Sequence, residues 1–230
     1  MFIKLGLNRQ QLESLFTQYF LKELKIKTYA VIDFETTGLS PSFGARPTEI
    51  AVVLVNRDGV LDSFQSLMNP CVHIPYEIQS LTGITNDMVR KAPSIGDVMR
   101  QAKKFVGDHP IVAHNAAFDR KFWNAELERI NLHSHQDFIC SLLLARRIFP
   151  DAPNHRLETL IQMLRLPKTG RSHRALADTE ATAHLFIRIQ QELVRRFQLT
   201  TVSHTLLLAI QSENRSQLEN CVRKHKNARN

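Results

Sequence analysis

The chain has 230 residues, of which 43% are hydrophobic, so it is long enough for one domain of ordinary size with additions, or for two small ones. Its formal net charge of +8 fits a polyanionic partner, above all nucleic acid, or a solvated basic surface. The three cysteines show no zinc spacing and no disulfide framework, and no apolar run reaches about 18 residues, which excludes a membrane span. The start of the chain does not resemble a secretory signal. Together these features predict a cytoplasmic protein.

The predicted elements alternate in a way that is typical of an α/β domain. Apolar residues at three- and four-residue steps predict a helix over residues 8–25, and an antiparallel meander follows with strands at 28–34, 48–55 and 60–69. Residues 70–93 are predicted as loop and short helix. Further helices are predicted at 94–107, 116–130, 141–148, 156–165 and 175–195, with short strands at 111–114 and 137–140. This order indicates a mixed sheet flanked by helices.

Two segments flank this predicted domain. A single helix is predicted from about residue 200 to Val222, and the basic sequence RKHKNARN follows it. The chain is therefore divided into an N-terminal helical extension (1–27), a main domain (28–195) and a C-terminal helical extension with a basic tail (196–230). The tail fits either phosphate binding or a solvated end.

Two acids at the end of the first predicted strand need an explanation. Asp33 and Glu35 are two residues apart in an extended segment, so their side chains point to the same side, and Phe34 points to the other. Adjacent carboxylates repel each other, and partial burial strengthens this repulsion. The pair is either held by a cation or solvated at a frayed strand end.

Two more acids fall on apolar helix faces. Asp119 lies in the first turn of its helix on the side of Phe122 and Trp123, where the helix dipole alone would also stabilise an acid. Asp178 heads the apolar stripe of the helix at 175–195. A carboxylate in such a place needs a metal ion or a basic partner, and Arg174 is the alternative to a metal.

The four acids together suit a pair of metal ions. Their combined charge of −4 would balance two Mg²⁺ or Mn²⁺ ions, which prefer oxygen ligands and which support phosphoryl transfer in pairs. Such chemistry also needs a base that takes a proton from water. His173 precedes the last helix in the segment KTGRSHR, and an ordinary histidine titrates near neutral pH, so His173 is the predicted base.

Three segments in order resemble the motifs of the DEDDh 3′→5′ exonucleases, in particular the proofreading epsilon subunits of bacterial DNA polymerase III. They are VIDFETTGL (31–39), VAHNAAFD (112–119) and HRALAD (173–178), and the similarity extends over about residues 28–195. The resemblance implies a ribonuclease-H-like fold with a five-stranded mixed sheet. It also implies that Asp33, Glu35, Asp119 and Asp178 hold two divalent metals and that His173 is the general base.

The same resemblance implies the substrate contacts and the reaction. Water would hydrolyse the last phosphodiester of a single-stranded 3′ end, DNA rather than RNA, and release a nucleoside 5′-monophosphate. The residues expected to contact substrate are Phe34, Thr36, Thr37, Gly38, Leu39, His114, Asn115 and Phe118. Cys140-Ser141 stands where the family often has Asp-Thr, which predicts a local change in hydrogen bonding.

Partners and alternative functions follow from the same motifs. A DNA polymerase is the expected partner for a proofreading nuclease in DNA replication. Residues 11–16 (QLESLF) loosely resemble sliding-clamp-binding peptides, although an amphipathic helix that covers the domain is the ordinary explanation. An exoribonuclease, a nuclease or phosphatase for small substrates, and a non-catalytic polymerase accessory that binds nucleic acid are the alternatives. A purely binding module would gain nothing from carboxylates that repel a polyanion.

Overall fold

The computed structural model describes residues 27–170 and 173–227. The predicted helix at 8–25, with its clamp-like residues 11–16, lies outside the described residues, as do the last three residues of the basic tail. The strands are β1 (Tyr29–Thr36), β2 (Pro47–Asn56), β3 (Gly59–Leu67), β4 (Ile111–Ala113) and β5 (Phe138–Cys140). The helices are α1 (Tyr76–Thr82), α2 (Asn86–Arg90), α3 (Ile95–Val106), α4 (Ala116–Glu128), α5 (Ser141–Ile148), α6 (Leu157–Met163), α7 (Ala175–Phe197), α8 (His204–Ser212) and α9 (Leu218–Asn227).

The strands form one mixed sheet in the order β3-β2-β1-β4-β5. The first three pair antiparallel, while β1 with β4 and β4 with β5 pair parallel. The β2–β3 turn is closed by the Asn56 side chain, which accepts hydrogen bonds from the backbone N–H groups of Asp58 and Gly59. The predicted meander and mixed sheet are therefore confirmed.

Helices cover both faces of the sheet because the central strands are apolar on both sides. Tyr29 and Val31 of β1 belong to the cluster that includes the buried stripe of α7. Ala30 and Ile32 face the opposite way and pack in the cluster that includes α3 and α4. The alternation along β1 thus assigns each residue to one of two cores.

The carboxyl end of β1 extends past its parallel neighbour. The pairing of β1 with β4 stops at Val31, and β4 itself ends at Ala113, whereas β1 continues to Thr36. Residues 32–36 therefore lack a strand partner on the β4 side and form an open sheet edge. Crevices of this kind, outside the carboxyl ends of strands, are where α/β folds bind ligands.

The prediction of a single helix from about residue 200 to Val222 is wrong. The chain forms α8 and α9 with a 3₁₀ turn at Arg215–Gln217 between them, and α9 includes basic residues predicted to be tail. Glu213 and Asn214 are extended. The bend is required because Leu207 of α8 and Val222 of α9 both pack in the cluster that contains α7.

Helix α8 also protects the edge of the sheet. The Gln211 side chain accepts a 2.8 Å hydrogen bond from the Cys140 backbone N–H and donates a 3.1 Å hydrogen bond to the Phe138 carbonyl. The amide group thus pairs with β5 as a neighbouring strand would, and the edge has fewer free groups to offer another chain. In the described part of the chain, no helix has the length and apolar character needed to cross a bilayer.

Candidate metal and nuclease site

Asp33 and Glu35 lie side by side on β1, as the two-residue spacing predicts. Both are partly buried, and both face the side of the sheet that α7 covers. Phe34 faces the other way, is only 4% exposed and packs against the Phe122 ring. The Phe34 side chain is therefore part of the core, and only its backbone lies at the site.

The amino end of α7 brings a third carboxylate to this pair. Ligand oxygens of Asp33, Glu35 and Asp178 all lie within 4.8 Å of one another. Asp178 reaches them because the apolar stripe of α7 packs against β1 and β2 and holds the first turn of the helix over the strand end. An acid that is distant in sequence thus joins Asp33 and Glu35 in one cluster.

Asp119 borders this cluster from α4. Its side chain is 2% exposed, and its Oδ1 accepts a 3.2 Å hydrogen bond from the Phe34 N–H, one of the groups that β4 leaves without a strand partner. After burial, the charge of Asp119 does most to raise the pKa of Asp33, as expected for a close neighbour. Asp119 is therefore adjacent to the three clustered acids, although it is not within their 4.8 Å group.

No described side chain neutralises any of the four carboxylates through an ion pair. Among residues 27–170 and 173–227, none of the four forms an ion pair. Burial, with the charge of Asp178, raises the pKa of Glu35 to about 8. Burial likewise raises the pKa of Asp119 to about 7 and the pKa of Asp33 and Asp178 above the ordinary range. Such a cluster is unfavourable unless protons or cations neutralise it.

Arg174 is not the partner of Asp178. Its guanidinium forms two hydrogen bonds, of 2.9 and 3.2 Å, to the carboxylate of Glu49 on β2. Glu49 is 1% exposed and also accepts hydrogen bonds from the Ala175 N–H and from Gln65. The Arg174 guanidinium is thus engaged by Glu49 and not by Asp178, and Glu49 fastens β2 to the first turn of α7.

Sequence reasoning missed the role of Glu49. The available signal was an acid within the apolar run TEIAVV, on the strand beside Asp33 and Glu35. A buried acid in such a strand needs a cation, and Arg174 supplies it. Glu126 is a second example, because it is 1% exposed and binds Arg46 at 2.9 and 3.1 Å.

His173 lies at the entrance of α7, with its side chain exposed. Its backbone has a positive φ of 61°, which turns its N–H toward the helix, and this N–H donates a 2.9 Å hydrogen bond to Asp178 Oδ2. The left-handed conformation is unfavourable for a residue with a Cβ, and here the bond to Asp178 offsets it. This backbone hydrogen bond places His173 beside the carboxylate cluster.

The last residue of β1 and the loop between β1 and β2 carry four of the predicted substrate contacts. The Thr36 hydroxyl donates to the Gly38 carbonyl at 2.7 Å, and Thr37 exchanges hydrogen bonds with the backbone of Arg46 at 2.8 and 3.0 Å. A Cβ added to Gly38 would lie 3.3 Å from that of Ala45, so glycine allows the two sides of the loop to approach closely. Leu39, in contrast, is 83% exposed.

The remaining predicted contacts lie between β4 and α4. His114 places Nδ1 2.9 Å from the Ser141 hydroxyl and Nε2 3.0 Å from the His155 carbonyl, and burial lowers its pKa to about 4. Both nitrogens are thus occupied by protein, one of them by the Ser141 hydroxyl. Asn115 has a φ of 74° and is exposed, and Phe118 packs on Phe122.

The donor set fits a hard divalent cation. Each of the clustered atoms is a carboxylate oxygen, and neither histidine nor cysteine belongs to the group that could hold a metal in the described residues. Mg²⁺ and Mn²⁺ prefer oxygen ligands, whereas structural zinc sites use sulfur and nitrogen. The lack of ion pairs at these buried or partly buried acids, within residues 27–170 and 173–227, is the independent sign that positive charge is needed here.

Comparison with known families identifies this arrangement. The exonuclease family RNase T matches residues 30–186, which include all four carboxylates and His173. The chain belongs to the RNase T exonuclease family. It is a nuclease of the DEDDh type, and its five-stranded mixed sheet with flanking helices is the ribonuclease-H-like fold of that family.

Sequence relatives include PolC-type DNA polymerases III. The chain is 39% identical over 171 residues to the enzyme of Bacillus cereus, and 37% identical over 175 residues to that of Bacillus subtilis. These matches cover 74% and 75% of this chain but only 12% of each polymerase. The chain therefore resembles one segment of a much longer protein.

Solved structures of exonucleases have the same fold. Exonuclease X, determined in complex with 5′-overhanging duplex DNA, is 30% identical with a TM-score of 0.60 over 75% of this chain and 95% of that one. The nuclease domain of 3′hExo, a DEDDh family member bound to rAMP, is 23% identical with a TM-score of 0.62 over 78% of this chain and 98% of that one. The second likeness concerns the fold alone.

Proposed function

We propose that this chain is a metal-dependent 3′→5′ exonuclease that hydrolyses single-stranded DNA ends and releases nucleoside 5′-monophosphates. The observation that carries the proposal is the cluster of Asp33, Glu35 and Asp178 within 4.8 Å, with Asp119 beside it and, in the part of the chain that the structure describes, no cationic side chain bonded to any of them. The four carboxylates would hold two Mg²⁺ or Mn²⁺ ions. When bound, these ions would polarise the scissile phosphate, increase the acidity of water and stabilise the leaving oxygen.

The protein side chains contribute the remaining steps. The exposed imidazole of His173 takes a proton from the attacking water, and the backbone bond to Asp178 keeps the imidazole near the phosphate. The backbone of residues 36–38 and the Leu39 side chain orient the terminal nucleotide. His114 holds the end of β4 to Ser141 and to the loop at His155, so that α4 presents Asp119 at the open edge.

DNA is favoured over RNA by the relatives above 25% identity. They are PolC-type DNA polymerases and exonuclease X with its duplex DNA. The basic net charge of +8 fits either polymer. Three free cysteines and these replication relatives support a cytoplasmic location and a DNA polymerase partner, with a role in proofreading or repair.

Digestion of matched oligonucleotides tests the function. Single-stranded DNA and RNA of the same sequence, labelled at the 5′ end, are incubated with the protein and Mg²⁺ or Mn²⁺. We expect a ladder that shortens from the 3′ end, mononucleotide products with a 5′-phosphate, and faster degradation of DNA. Asp178→Asn should abolish cleavage, whereas Asp62→Asn on the exposed face of β3 should not. Equal activity of the Asp178 variant would contradict the assignment.

The alternatives are separated by substrate and by truncation. A nuclease or phosphatase for small substrates would show no dependence on chain length, and a non-catalytic polymerase accessory would bind oligonucleotides without shortening them. The clamp hypothesis is tested by removal of residues 1–25. Unchanged affinity for the sliding clamp after that truncation would dispose of it.

A further inference from the structure

Phe43 is the most exposed large apolar side chain in the described part of the chain. It is 93% exposed, and Leu39, at 83%, is the next highest. Both belong to the loop between β1 and β2, although isolated apolar residues on a protein surface are usually scattered. Two such side chains within five residues of each other, on the loop that follows Glu35, indicate a contact surface for a ligand.

The loop holds Phe43 outward and does not allow it to fold back. A 3₁₀ turn at Pro41–Phe43 is closed by hydrogen bonds from the Phe43 and Gly44 N–H groups, and Gly44 reverses the chain with a φ of 82°. Ala45 is buried against Gly38 behind the turn. The exposure of the Phe43 ring is therefore a consequence of anchored backbone and not of a loose segment.

Arg46 anchors the same loop to the body of the domain. Its guanidinium is bound in a fork by the buried carboxylate of Glu126, and its backbone pairs with Thr37 on the opposite side of the loop. The 3₁₀ turn also packs against α4, the helix that carries Asp119. Because five residues span at most about 18 Å, Ser40 at the base of the turn cannot lie farther than that from Glu35.

The charges around the site leave a role for an apolar contact. The guanidinium of Arg46, the only charged side chain between Thr37 and Arg46, is already paired with Glu126 and so is not free to bind a phosphate. Aromatic side chains bind single-stranded nucleic acid by stacking on bases, which is independent of charge and tolerant of sequence.

We propose that Phe43 stacks on a nucleobase of the bound single strand, at the second or third position from the 3′ end. This inference rests on the proposed exonuclease function, in which Leu39 contacts the terminal nucleotide. Phe43 follows Leu39 by four residues, so we assign it to a base upstream of the one that Leu39 would contact. It is a substrate-binding residue and takes no part in the chemical step.

Equilibrium binding tests the stack without cleavage. Single-stranded DNA with 2-aminopurine at successive positions from the 3′ end is titrated with the protein in Ca²⁺, and fluorescence reports stacking at each position. We expect quenching at the second or third base. Phe43→Ala should remove the quenching and weaken binding roughly ten-fold, while Phe43→Tyr should retain both. Leu61→Ala, on the exposed side of β3, is the matched control and should bind as the wild type does.

Kinetics separate a failed stack from a failed catalytic assignment. The p-nitrophenyl ester of thymidine 5′-monophosphate has no upstream base, so Phe43→Ala should hydrolyse it at the wild-type rate while the KM for oligonucleotides rises. A lower rate on the small ester would overturn the proposal, as would unchanged oligonucleotide binding, which would leave the ring as a contact for a protein partner. If the wild type hydrolyses neither substrate, the proposed function fails, and the fluorescence titration still decides the stack.

Discussion

Replacement of Glu35 by glutamine should stabilise the metal-free protein, and the effect should depend on pH. Burial and the neighbouring acids raise the pKa of Glu35 from 4.5 to about 8 in the folded chain. Between these two values the folded state binds more protons than the unfolded state, so stability falls as pH rises. Glutamine has a similar shape and no charge, and it removes this penalty.

The magnitude follows from the difference between the two pKa values. Above pH 4.5 the unfolded state has lost a proton that the folded state retains. From pH 4.5 to pH 7, an interval of 2.5 units, this difference lowers the free energy of unfolding of the wild type by about 3 kcal/mol, at about 1.36 kcal/mol per unit. At pH 5 the same calculation leaves less than about 1 kcal/mol. Glu35 is partly exposed to solvent, which screens its charge, so the measured differences should be smaller than these values.

Urea denaturation in EDTA at pH 5 and at pH 7 measures the effect. We expect Glu35→Gln to be clearly more stable than the wild type at pH 7 and nearly equal to it at pH 5. Addition of Mg²⁺ should stabilise the wild type more than the variant, because a ligand that binds only the folded state raises its stability. Glu77→Gln, at an exposed position on α1, is the control. A stability gain that is the same at both pH values would refute the electrostatic account of the cluster.

Three further changes test the supports of the site. Arg174→Met leaves the buried carboxylate of Glu49 without its cation, so the free energy of unfolding measured in urea should fall by about 3–5 kcal/mol. Arg174→Lys should lower this free energy by less. Gln211→Leu leaves the Cys140 N–H unpaired, so we expect a loss of about 1–3 kcal/mol and faster hydrogen exchange at that amide. Because burial lowers the pKa of His114 to about 4, the wild type should lose up to about 3 kcal/mol relative to His114→Gln as pH falls from 6.5 to 4.

Each of these predictions has an opposite outcome that would contradict it. Arg174→Met with wild-type stability would mean that Glu49 is protonated or hydrated instead of paired. Unchanged exchange at Cys140 after Gln211→Leu would show that α8 covers the strand edge without the amide. A constant stability difference between the wild type and His114→Gln from pH 7 to pH 4 would mean that His114 titrates normally in the folded state.

Local patterns in the sequence predicted most of the fold. The alternation along β1 and the 3.6-residue stripe of α7 depend on neighbours in the chain, so the meander, the flanking helices and the side on which Asp33 and Glu35 lie were predicted correctly. The helix from residue 200 to Val222 was not, because the break between α8 and α9 is imposed by the core that both helices cover. Periodicity alone does not record where a helix must bend.

The identity and order of the acids, and the basic balance of the chain, were determined by the sequence itself. Only the tertiary structure decided which charges neutralise each other. Arg174 is four residues from Asp178 and yet binds Glu49, which is 125 residues away, because α7 packs across β2. The pairing of charges depends on their distance in space, and packing determines that distance. The sequence specifies only distance along the chain.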